Sequence, residues 1–325
     1  MRTFKVLAIL FVISGMLAVV KAASLPGPLV DTDWLAKNKS DVVILDVRKD
    51  VKSFTAKPIW RKDKKTGKKI LAKVAGHIPG ASLVNYKYVR DKITIGGKSV
   101  TRMVPPTFAF EKLMQEAGVN NNSAIVIVSK GAGNGDMTMA TRVYWQLKYF
   151  GHDNMAILNG GMGQWLVDGR KVVSNKAVAK KGNWKSTATR KEILATSEDV
   201  AAAVKAKSQL MDTRAISLYL GTWHKKSYVY AKGHIPGAKS FPNELLTNPT
   251  APAKFVATKQ LKSMMEQMGF DTKAKTITYC NSGHLATGTW FVLSELLGNK
   301  QSKMYDGSMH QWTLEKRPTV SMKME

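Results

Sequence analysis

The chain has 325 residues, 50 Lys+Arg against 23 Asp+Glu, a formal charge of +27 and one cysteine. A lone cysteine excludes an internal disulfide framework and any multi-cysteine metal site, and an apolar fraction of 44% excludes a largely disordered chain. The charge calls for an anionic partner or serves as a solubilising surface, and the length suggests two domains.

Arg2 and Lys5 flank an apolar run from Val6 to Val20, and Val20-Lys21-Ala22 offers small residues at cleavage spacing. This is a secretory signal pattern over residues 1–22, which predicts a periplasmic protein; an uncleaved inner-membrane tether is the alternative. Leu25 to Pro28 reads as a loop, and Asp31 or Asp33 caps a short helix ending near Lys37. Val42 to Leu45 is a continuous apolar run, as in a buried parallel strand, and ends in Asp46-Val47-Arg48. Eight lysines and arginines then crowd Lys57 to Lys73 around Trp60. That insertion is expected as a solvated loop, with contact to an acidic protein or a membrane surface as its functional reading. Gly76-His77-Ile78-Pro79-Gly80-Ala81 is a turn, and Phe108 to Ala117 a helix. Ala124 to Val128 is a second buried strand, ending at Ser129. A glycine-rich loop follows over Lys130 to Asp136. The next helix carries Val143, Leu147 and Phe150 and stops at Gly151. Met155 to Leu158 is a further strand, followed by Asn159 to Trp165.

The series then recurs. Leu210-Met211-Asp212-Thr213-Arg214 matches Ile44 to Arg48, and Gly233 to Ala238 repeats Gly76 to Ala81 letter for letter. Thr276 to Cys280 matches Ile125 to Ser129, and Tyr305 to Trp312 matches Asn159 to Trp165 with one extra residue. A repeat of this length means two copies of one domain, here expected over 23–171 and 194–325 with a linker at 172–193. Strands alternating with helical patterns predict an α/β fold, a parallel sheet flanked by helices in each copy.

Cys280 follows a β-prone run and precedes the small polar loop Asn281-Ser282-Gly283-His284-Leu285-Ala286. Trp290, Leu293 and Leu297 then repeat at helical steps until Gly298. A thiol between a strand end and a helix start meets unpaired N–H groups that favour an anion, and Gly283 can supply a positive φ for an anion-binding nest. The loop is therefore expected to hold a thiolate.

These features together resemble a tandem-domain rhodanese of the thiosulfate and 3-mercaptopyruvate sulfurtransferase kind. The carrying motifs are Asp46-Val47-Arg48, Asp212-Thr213-Arg214, the two Gly-His-Ile-Pro-Gly-Ala segments, the Cys280 loop and Tyr305-Asp306-Gly307-Ser308. The resemblance implies a non-catalytic first domain, with Ser129 at the cysteine position, and a catalytic second one. It implies a Cys280 persulfide cradled by Asn281 to Ala286, with Asp212 and Arg214 in support, and neither metal nor organic cofactor. A small anionic sulfur donor and a thiol, cyanide or protein acceptor are the implied partners; nucleic acid is not expected, since no binding motif stands out. A non-catalytic sulfur or selenium carrier that docks a partner is the alternative. Rhodanese-related phosphatases and arsenate reductases would need an arginine where Ala286 stands. Two positions depart from the thiosulfate-using pattern: Asn281-Ser282 lack cations, and Leu218 stands where an arginine is usual. His284, if protonated, is expected to replace part of that charge.

Overall fold

The buried apolar runs form two sheets of the same design. A computed structural model describes residues 24–322, so the expected signal segment lies outside the described residues. In the first copy the strands are β1 (Leu29–Val30), β2 (Val43–Arg48), β3 (Ile59–Lys62), β4 (Lys69–Lys73), β5 (Ser82–Asn85), β6 (Asp91–Ile95), β7 (Lys98–Met103), β8 (Ile125–Ser129) and β9 (Met155–Leu158). The second copy has β10 (Leu194–Ala195), β11 (Gln209–Asp212), β12 (Lys239–Ser240), β13 (Thr276–Tyr279) and β14 (Ser302–Tyr305). Helices α1 (Thr32–Asn38), α2 (Thr107–Glu116), α3 (Asn134–Tyr149) and α4 (Gly161–Val167) belong to the first copy. Helices α5 (Ser197–Lys205), α6 (Ile216–Leu220), α7 (Thr258–Gln267), α8 (Ala286–Phe291) and α9 (Ser308–Leu314) belong to the second.

The five-stranded sheets run β1-β9-β8-β2-β5 and β10-β14-β13-β11-β12, with every pairing parallel. Read in each copy's own strand sequence, the two orders are the same. The order reverses between β8 and β2, and between β13 and β11. Parallel α/β sheets present their ligand crevice at such a point, beyond the carboxyl ends of the strands. Ser129 ends β8, and Cys280 directly follows β13.

The repeated motifs do equivalent structural work. Arg48 donates to both Asp46 carboxylate oxygens and to the Gly76 carbonyl at 2.6 Å. Arg214 does the same with Asp212 and with the Gly233 carbonyl at 2.8 Å. His77 stacks on Phe54 and His234 on Tyr219, at 3.7 and 3.8 Å between ring centroids. Trp165 and Trp312 each send the indole N–H to a carbonyl six residues on, at Lys171 and Pro318.

Two hairpins decorate the first copy. The basic insertion, expected as a loop, is the antiparallel pair β3–β4. Its turn is held by Asp63, which accepts from the Thr66 and Lys65 N–H groups at 2.7 and 3.1 Å, and Trp60 and Leu71 pack on the first copy's core. The second hairpin, β6–β7, turns at Gly96-Gly97, both at positive φ. It reaches across to the second copy, where the Lys98 ammonium donates to the Leu314 carbonyl at 2.9 Å and the Thr101 N–H to His310 Nε2 at 3.1 Å.

The copies meet through α3 and α8, whose side chains share one hydrophobic cluster. Residues Met137 to Leu147 of α3 are all buried, so this helix is covered on every side. Gly288 permits the close approach, since a Cβ there would lie 2.8 Å from the Thr138 methyl. Thr141 and Thr287 join hydroxyls at 2.9 Å, and the Tyr144 hydroxyl donates to Glu295 at 2.8 Å. Beyond Phe291 the expected helix widens into a π-turn over Val292–Leu296 before Gly298.

Candidate active site

Cys280 is 2% exposed and sits where β13 ends. The loop beyond it is tied down by one hydroxyl. Ser308 Oγ accepts from the N–H groups of Cys280 and Gly283, both at 3.1 Å, and donates to the Tyr305 carbonyl at 2.7 Å. The Met309 and His310 N–H groups, at the start of α9, donate to the Cys280 and Asn281 carbonyls at 3.0 and 2.9 Å. Two of the loop's N–H groups are thus spent inside the protein. Those of Asn281, Ser282, His284 and Leu285 have no protein acceptor among the described residues. They remain available to an anion on the thiol.

Ser308 adopts φ of 49°, left-handed backbone that a side chain rarely takes, and its counterpart in the first copy is Gly161 at 56°. The hydroxyl is therefore kept at a cost of about 1–2 kcal/mol. Ser308→Gly relieves that strain but leaves two buried N–H groups without an acceptor, at about 1–3 kcal/mol each. The expected result is a roughly tenfold lower kcat with a lower Tm, because two orphaned donors outweigh the strain relieved. Unchanged kcat would show that the hydroxyl does not position the loop.

Gly283 sits at φ of 63°, and a Cβ there would lie 2.3 Å from Asp306 Oδ1 and 2.9 Å from Arg142 Nη1. Arg142 comes from α3 of the first copy. It donates to the Gly283 carbonyl at 2.8 Å and pairs with Asp306, whose other oxygen accepts from the Val104 N–H at 2.7 Å. Arg90 reaches the Ser282 carbonyl at 3.3 Å and lies 4.9 Å from the Tyr86 ring centre. Arg102, itself at φ of 68°, lies 3.9 Å from the Tyr228 ring. Burial, then the negative charge of a Cys280 thiolate, pushes the Tyr228 phenol above its usual range. Tyr86 Oη, Arg90 Nε and Arg142 Nη2 are buried without a protein partner among the described residues. Each can donate to a ligand.

The expectation that His284 supplies a cation is overturned. His284 is wedged between the copies, with Nε2 3.1 Å from the Thr138 hydroxyl and its ring 5.2 Å from that of Tyr86. Burial, with Arg90 and Arg142 nearby, pushes its pKa down to about 3, so it is neutral at neutral pH. The positive charge at the loop comes from arginines instead, Arg90 and Arg142 of the first copy and Arg214 of the second.

This neutrality has a stability consequence. The folded pKa lies below the unfolded value of about 6.5, so the unfolded chain binds the extra proton between them. The contribution is intact above about pH 6.5 and is lost as pH falls toward 3, on the order of 5 kcal/mol in all. Urea midpoints measured from pH 7 to pH 4 are expected to fall in the wild type and to fall less steeply in His284→Asn. Parallel slopes would refute the assignment.

A rhodanese-like domain model matches residues 31–168 and again residues 196–315. The chain belongs to the rhodanese-like family. It is 28% identical over 298 residues to "Sulfur carrier protein TtuD" of Thermus thermophilus, covering 88% of this chain and 94% of that protein. It is 29% identical over 293 residues to a Saccharopolyspora erythraea protein named "Putative thiosulfate sulfurtransferase", covering 88% and 92%. Among solved structures, SseA of Escherichia coli, described as a 3-mercaptopyruvate sulfotransferase, aligns with a TM-score of 0.67 at 24% identity, over 87% of this chain and 98% of that one.

Within this rhodanese-like chain the loop residues Asn281 to Ala286 follow the cysteine directly, and Ala286 opens α8. Asp212 and Arg214 pair with each other as described; Arg214 also reaches Asn281 Oδ1 of the loop at 3.5 Å and lies near enough to Cys280 to feel a thiolate's charge, while bracing the Gly233 turn. Ser129 is fully buried with its hydroxyl 3.3 Å from the Met137 sulfur. Leu218 is also buried. Sequence reasoning missed Arg90, Arg102, Arg142 and Ser308 as site residues, because the first three lie in the other copy and the fourth reads as part of a repeat motif.

Proposed function

We propose that this protein is a sulfurtransferase that carries sulfane sulfur as a persulfide on Cys280. The observation that supports it best is the loop itself, where the N–H groups of Asn281, Ser282, His284 and Leu285, following the lone thiol, have no acceptor among the described residues. The thiolate attacks the outer sulfur of a donor. The donor's bond to that sulfur breaks, sulfur–sulfur in thiosulfate or polysulfide and carbon–sulfur in 3-mercaptopyruvate; its electron pair leaves with the departing fragment, and the transferred sulfur stays on Cys280 as an anion held by the loop. An acceptor nucleophile then attacks that outer sulfur, and Cys280 departs as thiolate. The names carried by relatives at 28–29% identity support sulfur transfer as the reaction class. Arg90 and Arg102, neither in an ion pair among the described residues, favour an anionic donor such as thiosulfate.

Intact mass after separate exposure to thiosulfate, polysulfide and 3-mercaptopyruvate tests this reading. One added sulfur that vanishes in Cys280→Ser is expected with at least one donor. No added sulfur from any of them would overturn it. The residues 1–22 pattern supports a periplasmic setting; N-terminal sequencing of exported protein is expected to begin at Ala23.

A further inference from the structure

A cleft of about 1520 Å3 opens on the first copy beside the Cys280 loop. His284 and Tyr86, both belonging to the site, close it on the inside, and Arg90 and Arg102 line it half-buried. Tyr88, 60% exposed, and Phe108, 73% exposed, stand at its rim. The lining carries six lysines and arginines against the carboxylates of Asp91 and Glu116. Small-molecule sites usually occupy roughly 300–1,000 Å3, and a sulfur anion would fill a corner of this one. Exposed aromatics beside cations are the side chains that anchor protein partners. The cleft is concave, so a flat bilayer could not reach the arginines at its base.

We propose that this cleft docks an acidic protein segment whose thiol accepts sulfur from Cys280. The proposal rests on the persulfide reading and names the acceptor of that site. The docked thiol loses its proton to solvent and attacks the outer sulfur of the Cys280 persulfide. The bond between the two sulfurs breaks, its electron pair returns to Cys280 as thiolate, and the partner leaves carrying a persulfide. Sulfur and charge balance without an oxidant or reductant.

The test uses full-length protein loaded with one sulfur and freed of donor. Three probes discharge it separately: an Asp/Glu-rich synthetic peptide bearing one cysteine, the same peptide with Asn and Gln replacing the acids, and mercaptosuccinate. Loss of the added sulfur is followed by intact mass at low and high salt. The acidic peptide is expected to act roughly tenfold faster than its amide twin, with the advantage shrinking in about 1 M salt. Lys87→Glu with Lys112→Glu reverses two exposed charges of the cleft lining outside the reacting loop. That variant should lose the advantage while loading sulfur, and discharging to neutral 2-mercaptoethanol, at wild-type rates. Equal rates for the two peptides, or an advantage that survives the double variant, would overturn the proposal. So would mercaptosuccinate matching the acidic peptide with the same lysine dependence, since the cleft would then be a small-anion site. Failure to load any sulfur strikes the persulfide reading instead. Fluorescence anisotropy of the labelled acidic peptide then decides the docking separately, through binding that the double variant must weaken.

Discussion

Cys280→Ser is expected to cut sulfur transfer on the order of a thousandfold or more, to the background rate, with little change in stability. Oxygen replaces sulfur in a buried position of nearly the same shape, and the hydrogen bonds around it run through the backbone N–H and carbonyl, which the substitution keeps. A hydroxyl cannot become a persulfide. Far-UV circular dichroism and Tm establish that the variant is folded, and a steady-state assay with each loaded donor measures the loss. Adding Ser129→Cys to this variant should restore nothing. The Ser129 hydroxyl faces the Met137 sulfur, and Gly161 packs so tightly on Ser129 that a Cβ there would lie 2.3 Å from the Ser129 carbonyl. Activity retained in Cys280→Ser, or recovered with Ser129→Cys, would place the chemistry elsewhere.

The sheets were legible because their strands are buried on both faces and read as unbroken apolar runs; β8 and β13 fall within a residue of the expected spans. The repeat then carried the topology, since equal motifs in equal order lead to equal strand orders. The hairpin β3–β4 was hidden because basic residues crowd the strand ends and the turn between them and mask the partly buried Trp60 and Leu71. The hairpin β6–β7 did carry a readable signal, Gly96-Gly97 directly after the alternating Ile93-Thr94-Ile95. What no local pattern could expose was the contact between copies. His284 reads as an exposed loop histidine until α3 covers it, and Arg142 reads as an ordinary helix residue until the second copy buries the far face of α3. The first-copy cations of the site belong to that contact, so the loop's own sequence understated its charge.

Arg142→Met is the other change with a large expected effect, because it acts on the fold and the loop together. Arg142 and Asp306 are both nearly inaccessible, and they join the first copy to the second. Removing the guanidinium leaves the Asp306 carboxylate buried with the Val104 N–H as its one partner among the described residues, a loss of about 3–5 kcal/mol. It also releases the Gly283 carbonyl, one of the points that hold the loop in shape. Urea denaturation should show the lower stability, and sulfur transfer measured where the variant is still folded should show a reduced kcat. Asp306→Asn added to Arg142→Met removes the orphaned charge, so the double variant is expected to be more stable than the sum of the single effects allows. Arg142→Lys should fall between, since one ammonium cannot span the carboxylate and the carbonyl as the planar guanidinium does. A single Arg142→Met that loses under about 1 kcal/mol would mean water or a neighbour already neutralises Asp306, and the clamp would then not hold the two copies together. A normal kcat in a destabilised Arg142→Met would separate the two roles, leaving Ser308 to hold the loop by itself.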